Sequence, residues 1–405
     1  MKNVFVLIMA GGEGTRFYPL STPEQPKQFL NFIGQKTFIR QTFERVAPLV
    51  PLENIYVSTN EKYVSLVEEQ IPELSADRII AEPFKRNTAP ALAYCTALID
   101  QRDNNATVIC LPSDHHIQDE DGFRKVLAQA VSLARDDYLV TFGMEPTWAS
   151  PEYGYICPLE KNQGWSPVKK FAEKPDTQAA EKYRLEGYLW NGGIFLWKAS
   201  VFLSELKLHA PDCAVRLDAF RAGYDFMREY FRAAPSISID RAVMEKSGKV
   251  VVIPVSVGWS DVGTWESVHR LMSQGIDISG CVKAVLQGDD LCPWRCVVPK
   301  PWGHEELWAL TQKYVGKILF IRKGHRLSLQ YHKQKDETLR LLSGNMEIEV
   351  GDERARAMNS GDVQHVPPGM KHRIRALSDC LVLEVSTPEI DDVVRIADDY
   401  GRQHD

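Results

Sequence analysis

The sequence predicts an α/β domain on an open, mostly parallel sheet, followed by an all-β module, a small barrel or jelly roll. Three features carry this. The apolar run Val4-Phe5-Val6-Leu7-Ile8-Met9 leads straight into Gly11-Gly12-Glu13-Gly14-Thr15-Arg16, as a buried strand does when it ends in a phosphate-binding turn. To about residue 270, short β-branched runs alternate with helix-length amphipathic segments. From Lys317 onward the strands are short and alternate with period two.

Taken in order, Ile55-Tyr56-Val57-Ser58-Thr59 reads as a strand, Lys62 to Glu69 as a helix and Arg78-Ile79-Ile80-Ala81 as the next strand. Thr88-Ala89-Pro90 opens an alanine-rich helix, because proline is tolerated in a first turn. Thr107-Val108-Ile109-Cys110-Leu111 is a further apolar strand that ends at Pro112. From Asp277 to Pro301 periodicity fades, which reads as a connecting segment. Beyond it, Met346-Glu347-Ile348-Glu349-Val350 alternates and Cys380 to Val385 forms another strand. Ser343-Gly344, Ser360-Gly361-Asp362 and Pro367-Pro368-Gly369 supply the turns. The expected boundaries are 1–272 for the α/β domain, 273–300 for a linker and 301–405 for the β module.

A chain of 405 residues can bury a core in each of these domains. The net charge of −6 offers no basic surface for nucleic acid, so phosphate binding must be local. The eight cysteines are scattered, and the nearest pair, Cys292 and Cys296, resembles no zinc knuckle; reduced thiols are expected. The apolar run after Met1-Lys2-Asn3 is too short for a signal core or a membrane span. A cytoplasmic protein without nucleic-acid or membrane partners is expected, and a homodimer is compatible with the sequence.

The chemistry gathers at strand ends. A glycine turn lets backbone N–H groups approach a polyphosphate because no Cβ intervenes. Arg16 and, in Pro26-Lys27-Gln28, Lys27 add two cations. No Gly-Lys-Ser/Thr closes the loop, and Phe17 stands where a dinucleotide fingerprint has its third glycine, so the loop matches neither motif. Asp114, in Leu111-Pro112-Ser113-Asp114-His115-His116, and Asp261, in Gly258-Trp259-Ser260-Asp261-Val262-Gly263, would suit Mg²⁺ beside phosphate oxygens. Taken alone, either aspartate could simply cap a turn. His115 and His116 lack metal-ligand spacing and are expected to pack or hydrogen-bond. Glu173-Lys174 sets a carboxylate beside an ammonium, as a sugar hydroxyl and its phosphate would need, and Asn191 adds an amide at a turn. In the β module, Gln330 and His332 share a strand face. With Glu337 and His372 they form an N/O set for Zn²⁺ or a similar divalent ion.

Joined by Glu82-Pro83-Phe84-Lys85-Arg86-Asn87-Thr88-Ala89-Pro90 and Ser238-Ile239-Asp240-Arg241-Ala242-Val243-Met244-Glu245-Lys246, these motifs resemble the mannose-1-phosphate guanylyltransferases from residue 3 to about 270. The resemblance implies a Rossmann-like nucleotidyltransferase fold with a mixed, mostly parallel sheet, and formation of GDP-mannose from GTP and mannose 1-phosphate with Mg²⁺. By that resemblance Gly11, Gly12, Gly14, Thr15 and Arg16 hold the triphosphate and Lys27 assists. Arg86, Asn87 and Thr88 lie on the guanine side, Asp114 and Asp261 bind Mg²⁺, and Glu173, Lys174 and Asn191 hold the sugar phosphate. The second module resembles the cupin domain of bifunctional phosphomannose isomerases, which implies a metal and a second activity on mannose 6-phosphate. In that family an arginine stands where this chain has Lys335, and lysine does not reproduce its planar fork. A structural or sensing cupin is the other reading, as is transfer involving another sugar 1-phosphate or another NTP.

Overall fold

The computed structural model describes residues 1–405 except 2, 13–14, 18–19, 161–163, 215–223, 280–281, 283–295, 311–312, 352–353, 390–391 and 401–405. Gly14, the Thr15 side chain, Cys292, the Cys296 side chain and most of the expected linker therefore lie outside the described residues. Packing divides the chain into two units, one of Met1–Gly14 with Pro23–Gly263, the other of Thr15–Thr22 with Thr264–Asp405.

The first unit is built on strands β1 (Val4–Met9), β2 (Ile55–Asn60), β3 (Ile79–Glu82), β4 (Thr107–Pro112), β5 (His116–Ile117), β6 (Leu139–Met144), β7 (Tyr155–Pro158), β8 (Ser166–Ala172), β9 (Leu189–Lys198), β10 (Val250–Val255) and β11 (Trp259–Ser260). Nine of them form one sheet in the order β3-β2-β1-β4-β9-β6-β10-β8-β7, while β5 and β11 pair as a separate ribbon. The pairs β3–β2, β2–β1, β1–β4 and β6–β10 are parallel. Strand β9 runs antiparallel between β4 and β6, so the sheet is mixed. The carboxyl ends of β1, β4, β6 and β10 and the start of β9 consequently share one edge.

Helices α1 (Phe38–Val46), α2 (Val64–Gln70), α3 (Thr88–Arg102), α4 (Glu120–Arg135), α5 (Thr177–Leu185), α6 (Ala199–His209) and α7 (Tyr224–Ala233) complete the unit. Strand β1 shows why a continuous apolar run is needed at the centre. Val4, Val6 and Ile8 enter a core on one face, while Phe5 and Leu7 enter a second core on the other. Arg78 belongs to a turn before β3 and not to the strand. The start of α3 follows the sequence reading, with Asn87 as its cap and Pro90 in its first turn. Among the described residues no helix is long and apolar enough to cross a membrane. The five described cysteines carry free thiols.

In the second unit, α8 (Trp265–Ser273) starts at a reciprocal capping box between Thr264 and Ser267. Thr15–Phe17 is a short 3₁₀ turn whose buried Phe17 meets Trp265 edge-on at 5.2 Å, and its Arg16 is exposed. Then come β12 (Cys296–Lys300), β13 (Gly303–Leu310), β14 (Val315–Ile321), β15 (Leu329–Tyr331), β16 (Glu337–Ser343), β17 (Asn345–Val350), β18 (Arg356–Asn359), β19 (Val363–Val366), β20 (His372–Ala376), β21 (Cys380–Ser386) and β22 (Val394–Ala397). They form two sheets, β12-β13-β14-β21-β16-β19 and β18-β17-β20-β15-β22. Their inward residues, among them Leu319, Leu339, Met346, Ile348 and Ile374, share one core.

Gly303 fixes the first turn of this module. Its φ is +153°, and a Cβ there would fall 1.9 Å from the carbonyl oxygen of Phe320. Gly303→Ala should destabilise the second unit by roughly 2–4 kcal/mol, since strained backbone and an overpacked contact add. Urea denaturation followed by tryptophan fluorescence measures this, and an unchanged midpoint would refute the stated constraint.

Candidate active site and candidate metal centre

The glycine turn after β1 is held by side chains from elsewhere in the fold. Gln28, buried, donates through Nε2 to the carbonyls of Ala10 at 3.0 Å and Gly12 at 2.7 Å. Thr59 Oγ1 donates to the same Ala10 carbonyl at 2.9 Å. With its carbonyls tied back, the turn is free to present N–H groups to an anion. The sequence shows Gln28 beside Lys27 but not this clamp, which depends on folding.

Lys27 lies at the centre. Only 4% exposed, its Nζ donates to Asp114 Oδ2 at 3.0 Å and to the carbonyl of Asp261 at 2.6 Å. Burial pushes the Asp114 carboxyl up, but the Lys27 ammonium and neighbouring His115 outweigh it and hold the group below the usual carboxylate range. Pairing of Trp259–Ser260 with His116–Ile117 brings the Asp114 and Asp261 loops side by side. Asp261 Oδ1 accepts from Tyr153 at 2.7 Å and from the Gly263 N–H at 3.2 Å. Tyr153 continues into aromatic contacts with Trp190 at 4.8 Å and Trp259 at 5.7 Å.

The two histidines have the local roles the sequence suggests. His115 Nδ1 accepts from Trp259 Nε1 at 3.1 Å, and burial lowers its pKa against the pull of Asp114 and Asp261. His116 is buried and pushed down to about 4. Asp114 Oδ1 and Asp261 Oδ2 receive no side-chain donor among the described residues, so each carboxylate keeps an oxygen for a cation.

Asn191, near the start of β9, has its amide already oriented. Its Oδ1 accepts from Thr141 Oγ1 and the Gly193 N–H, both at 3.2 Å, and its Nδ2 donates to Asp240 at 2.9 Å. Burial pushes Asp240 up to about 6. Burial, with Asp240 nearby, pushes Glu173 up to about 7. Gly154 permits this packing, because a Cβ there would fall 2.6 Å from Glu173 Oε2. Asp240 belongs to the Ser238-to-Lys246 motif, yet its link to Asn191 spans 49 residues and leaves no local signal.

Arg86 is anchored to helix α7, donating to the carbonyls of Phe231 at 2.7 Å and Arg232 at 3.0 Å. Asn87 caps α3 and Thr88 Oγ1 accepts from the Ile239 N–H at 2.8 Å. The neighbouring Glu82 carries a buried carboxylate that sequence reasoning missed. It accepts from Ser58 at 2.6 Å and lies 3.7 Å from where a Gly11 Cβ would be, and burial pushes it up to about 7. Three of the five non-glycine residues with left-handed backbone among those described are at this site: Asn87 (φ 65°), Lys174 (φ 47°) and Val262 (φ 47°). Such strain gathers where a fold fixes loops for binding.

In the second unit, His332, Glu337 and His372 converge with their ligand atoms within 4.8 Å of one another. Antiparallel pairing places Gln330 opposite His372, with Gln330 Nε2 3.4 Å from His372 Nε2. Both imidazoles are set from behind. His332 Nδ1 meets the carbonyl of Asp392, and His372 Nδ1 the carbonyl of Met370 at 3.2 Å. A carbonyl beside each Nδ1 can accept that ring's proton, which would leave Nε2 to ligate an ion, and His372 Nε2 lies 3.0 Å from Glu337 Oε1. His332 Nε2 is buried without a hydrogen-bond partner, which is what an ion ligand would leave behind. The donor set fits a divalent metal. Lys335 is buried at 2.6 Å from both Glu337 and Glu384, and these carboxylates hold its ammonium above the ordinary value despite burial. Burial raises Glu337, but His332, His372 and Lys335 together bring it well below the carboxylate range.

Lys27→Met should cut turnover by roughly 10²–10³-fold, as loss of a positioned cation does. Because Asp114 is depressed in the fold, its contribution to stability is complete above the unfolded carboxylate pKa and lost as pH falls through the depressed value. Lys27→Met should therefore shrink the stability difference between pH 7 and pH 3, read by urea denaturation. For the second unit, His332→Ala should lose retention of Zn²⁺ after dialysis, read by atomic emission; undiminished retention would remove the site.

Comparison with known proteins shows the family. Residues 5–276 match the family described as Nucleotidyl transferase, and residues 318–386 the Cupin domain. Mannose-1-phosphate guanylyltransferase 2 of Escherichia coli O157:H7 is 31% identical over 479 aligned positions, covering 99% of this chain and 99% of the relative. That alignment exceeds the 405 residues here, so the relative carries stretches with no counterpart in this chain. Among solved structures, the protein named mannose-1-phosphate geranyltransferase from Thermus thermophilus is 34% identical with a TM-score of 0.62, over 67% of this chain and 80% of that one. Mannose-6-phosphate isomerase from Helicobacter pylori is 29% identical with a TM-score of 0.52, over 64% of this chain and 99% of that one. This last likeness spans far more than the cupin match and so does not single out the cupin site. The clamped glycine turn, the Lys27 tie and the cupin donor set thus sit on a chain that belongs to the nucleotidyl transferase family and carries a cupin domain after its nucleotidyltransferase domain.

Proposed function

We propose that the chain transfers a guanylyl group from GTP to mannose 1-phosphate, giving GDP-mannose and pyrophosphate. In this reading residues 1–272 are catalytic, 273–300 connect and 301–405 are the cupin domain, and the enzyme works in the cytoplasm. The observation that carries the proposal is Lys27, which ties Asp114 to the Asp261 loop beside a glycine turn clamped by Gln28. An ionised phosphate oxygen of mannose 1-phosphate forms a bond to the α-phosphorus. The bond from that phosphorus to the bridging oxygen breaks, and pyrophosphate leaves with the electron pair. No proton has to move, so the protein supplies position and positive charge. Arg16 and Lys27 would face the phosphates, while Asp114 and Asp261 would hold Mg²⁺, whose charge offsets that on the α-phosphate. Asn191, set by Asp240, and Glu173 with Lys174 would receive the sugar phosphate.

Glu82 supports guanine as the base. Guanine presents an N–H and an amino group along one edge, which a carboxylate accepts together, whereas adenine offers an acceptor there. Glu82→Gln should lower kcat/KM for GTP by roughly 10- to 100-fold. Because Glu82 is raised in the fold, the wild type loses stability as pH climbs from the ordinary carboxylate range through about 7. Glu82→Gln lacks this loss, so its melting temperature relative to wild type should rise between pH 5 and pH 8. Pyrophosphate release from a panel of NTPs and sugar 1-phosphates tests the whole reading. Preference for GTP with mannose 1-phosphate is expected, and no release with any pair would overturn it. Arg16→Ala should reduce turnover by orders of magnitude without unfolding the chain.

For the cupin we favour a metal-holding module over an isomerase. The cavity bounded by Gln330, Glu337, His372 and Glu384 admits the centre of a water-sized sphere over about 20 Å³. That is room for one water or ion, whereas ligand sites run to about 300 Å³ and more. Conversion of mannose 6-phosphate to fructose 6-phosphate by the Zn²⁺-loaded chain would reverse this choice.

A further inference from the structure

The sheet has a second polar opening, at the edge away from the phosphate turn. It is a cleft of about 270 Å³ lined by Asn3, Asn105, Thr107, Arg135 and Lys198. Asn3 precedes β1, Thr107 opens β4 and Lys198 closes the antiparallel β9, so the lining belongs to the amino-terminal edge. Thr107 is wholly buried, and its Oγ1 has no hydrogen-bond partner. A buried hydroxyl in a polar cleft without a partner is uncommon and calls for a group to satisfy it. Lys198 Nζ reaches Asp137 at 3.3 Å with both side chains partly exposed, a contact too open to bind the ammonium tightly. Asn3 (φ 62°) and Asp137 (φ 65°) are the other two of the five described non-glycine residues in the left-handed region.

We propose that this cleft binds a phosphate monoester carried on a polyhydroxylated body, at a site separate from the one at the carboxyl edge. Lys198 and Arg135 meet the phosphate charge. The Asn3 and Asn105 amides offer both donors and acceptors to hydroxyl groups, and Thr107 Oγ1 gains the partner it lacks. The volume is near the lower bound of small-ligand sites, which suits a single phosphorylated sugar better than a nucleotide. The location gives the site a route to the chemistry. Strand β1 runs from just after Asn3 to the glycine turn, β4 runs from Thr107 to Pro112, two residues before Asp114, and β9 passes through Asn191 before ending at Lys198. A ligand that braces the near ends of these strands touches all three segments that carry the active site.

Hydrogen–deuterium exchange on the full chain tests this, because it locates protection. Mannose 1-phosphate at millimolar concentration should slow exchange in peptides covering 1–6 and 103–108 by about threefold or more. That protection should vanish in Lys198→Ala and in Thr107→Val, whose volume is conserved, while pyrophosphate release stays within about twofold of wild type. Absence of protection there would overturn the proposal. So would protection that survives both variants, or equal protection by inorganic phosphate, which would mark an adventitious ion only. The readout does not depend on turnover, so failure here is distinct from failure of the catalytic reading.

Discussion

The carboxyl edge of the first unit's sheet depends on one buried ammonium. Lys27 has almost no exposure, so its charge must be met within the protein, and the Asp114 carboxylate and the Asp261 carbonyl meet it directly. This single constraint fixes the separation of two loops that lie far apart in the domain sequence. It keeps Asp114 ionised, and it leaves the outer oxygens of both aspartates for a cation. The glycine turn is controlled in a complementary way, through carbonyls held by Gln28 and Thr59.

The cupin centre solves a related problem with different parts. Two imidazoles are locked by main-chain carbonyls, and Glu337 shares its oxygens between His372 and Lys335. Lys335 in turn bridges to Glu384, whose Oε1 also lies 3.6 Å from Lys317 Nζ, so the buried carboxylates are met by more than one cation. An arginine fork could span both carboxylates and still reach outward. The lysine at this position is held between the two carboxylates.

Much of this was legible because certain residue types have few other reasons to sit at strand ends. The glycine turn, Asp114, Asp261 and the Gln330, His332, Glu337 and His372 set were all readable as chemistry attached to periodicity. The two-core fold around β1 was equally plain from its unbroken apolar run. The rest was hidden for a physical reason. Gln28, Glu82, Tyr153 and Asp240 act through partners 16 to 108 residues away, and no local pattern encodes such contacts. Arg86 reads as a ligand cation in sequence, yet its guanidinium is engaged with two carbonyls at the end of α7. The antiparallel insertion of β9 was similarly invisible, since an apolar strand carries no mark of its direction.

The Lys27 tie also says something about time. Its partners lie 87 and 234 residues further along the chain. Strand β10 completes the sheet beside β6, and β11 must then pair with β5 to deliver Asp261. During synthesis the glycine turn and both cations emerge long before that ribbon exists. A partly made chain therefore displays a glycine turn whose opposing carboxylate loop has not yet arrived. Contacts of such sequence separation close late. The Lys27 tie is among the last features of its domain to form, and a truncated or stalled chain lacks the framework that holds it.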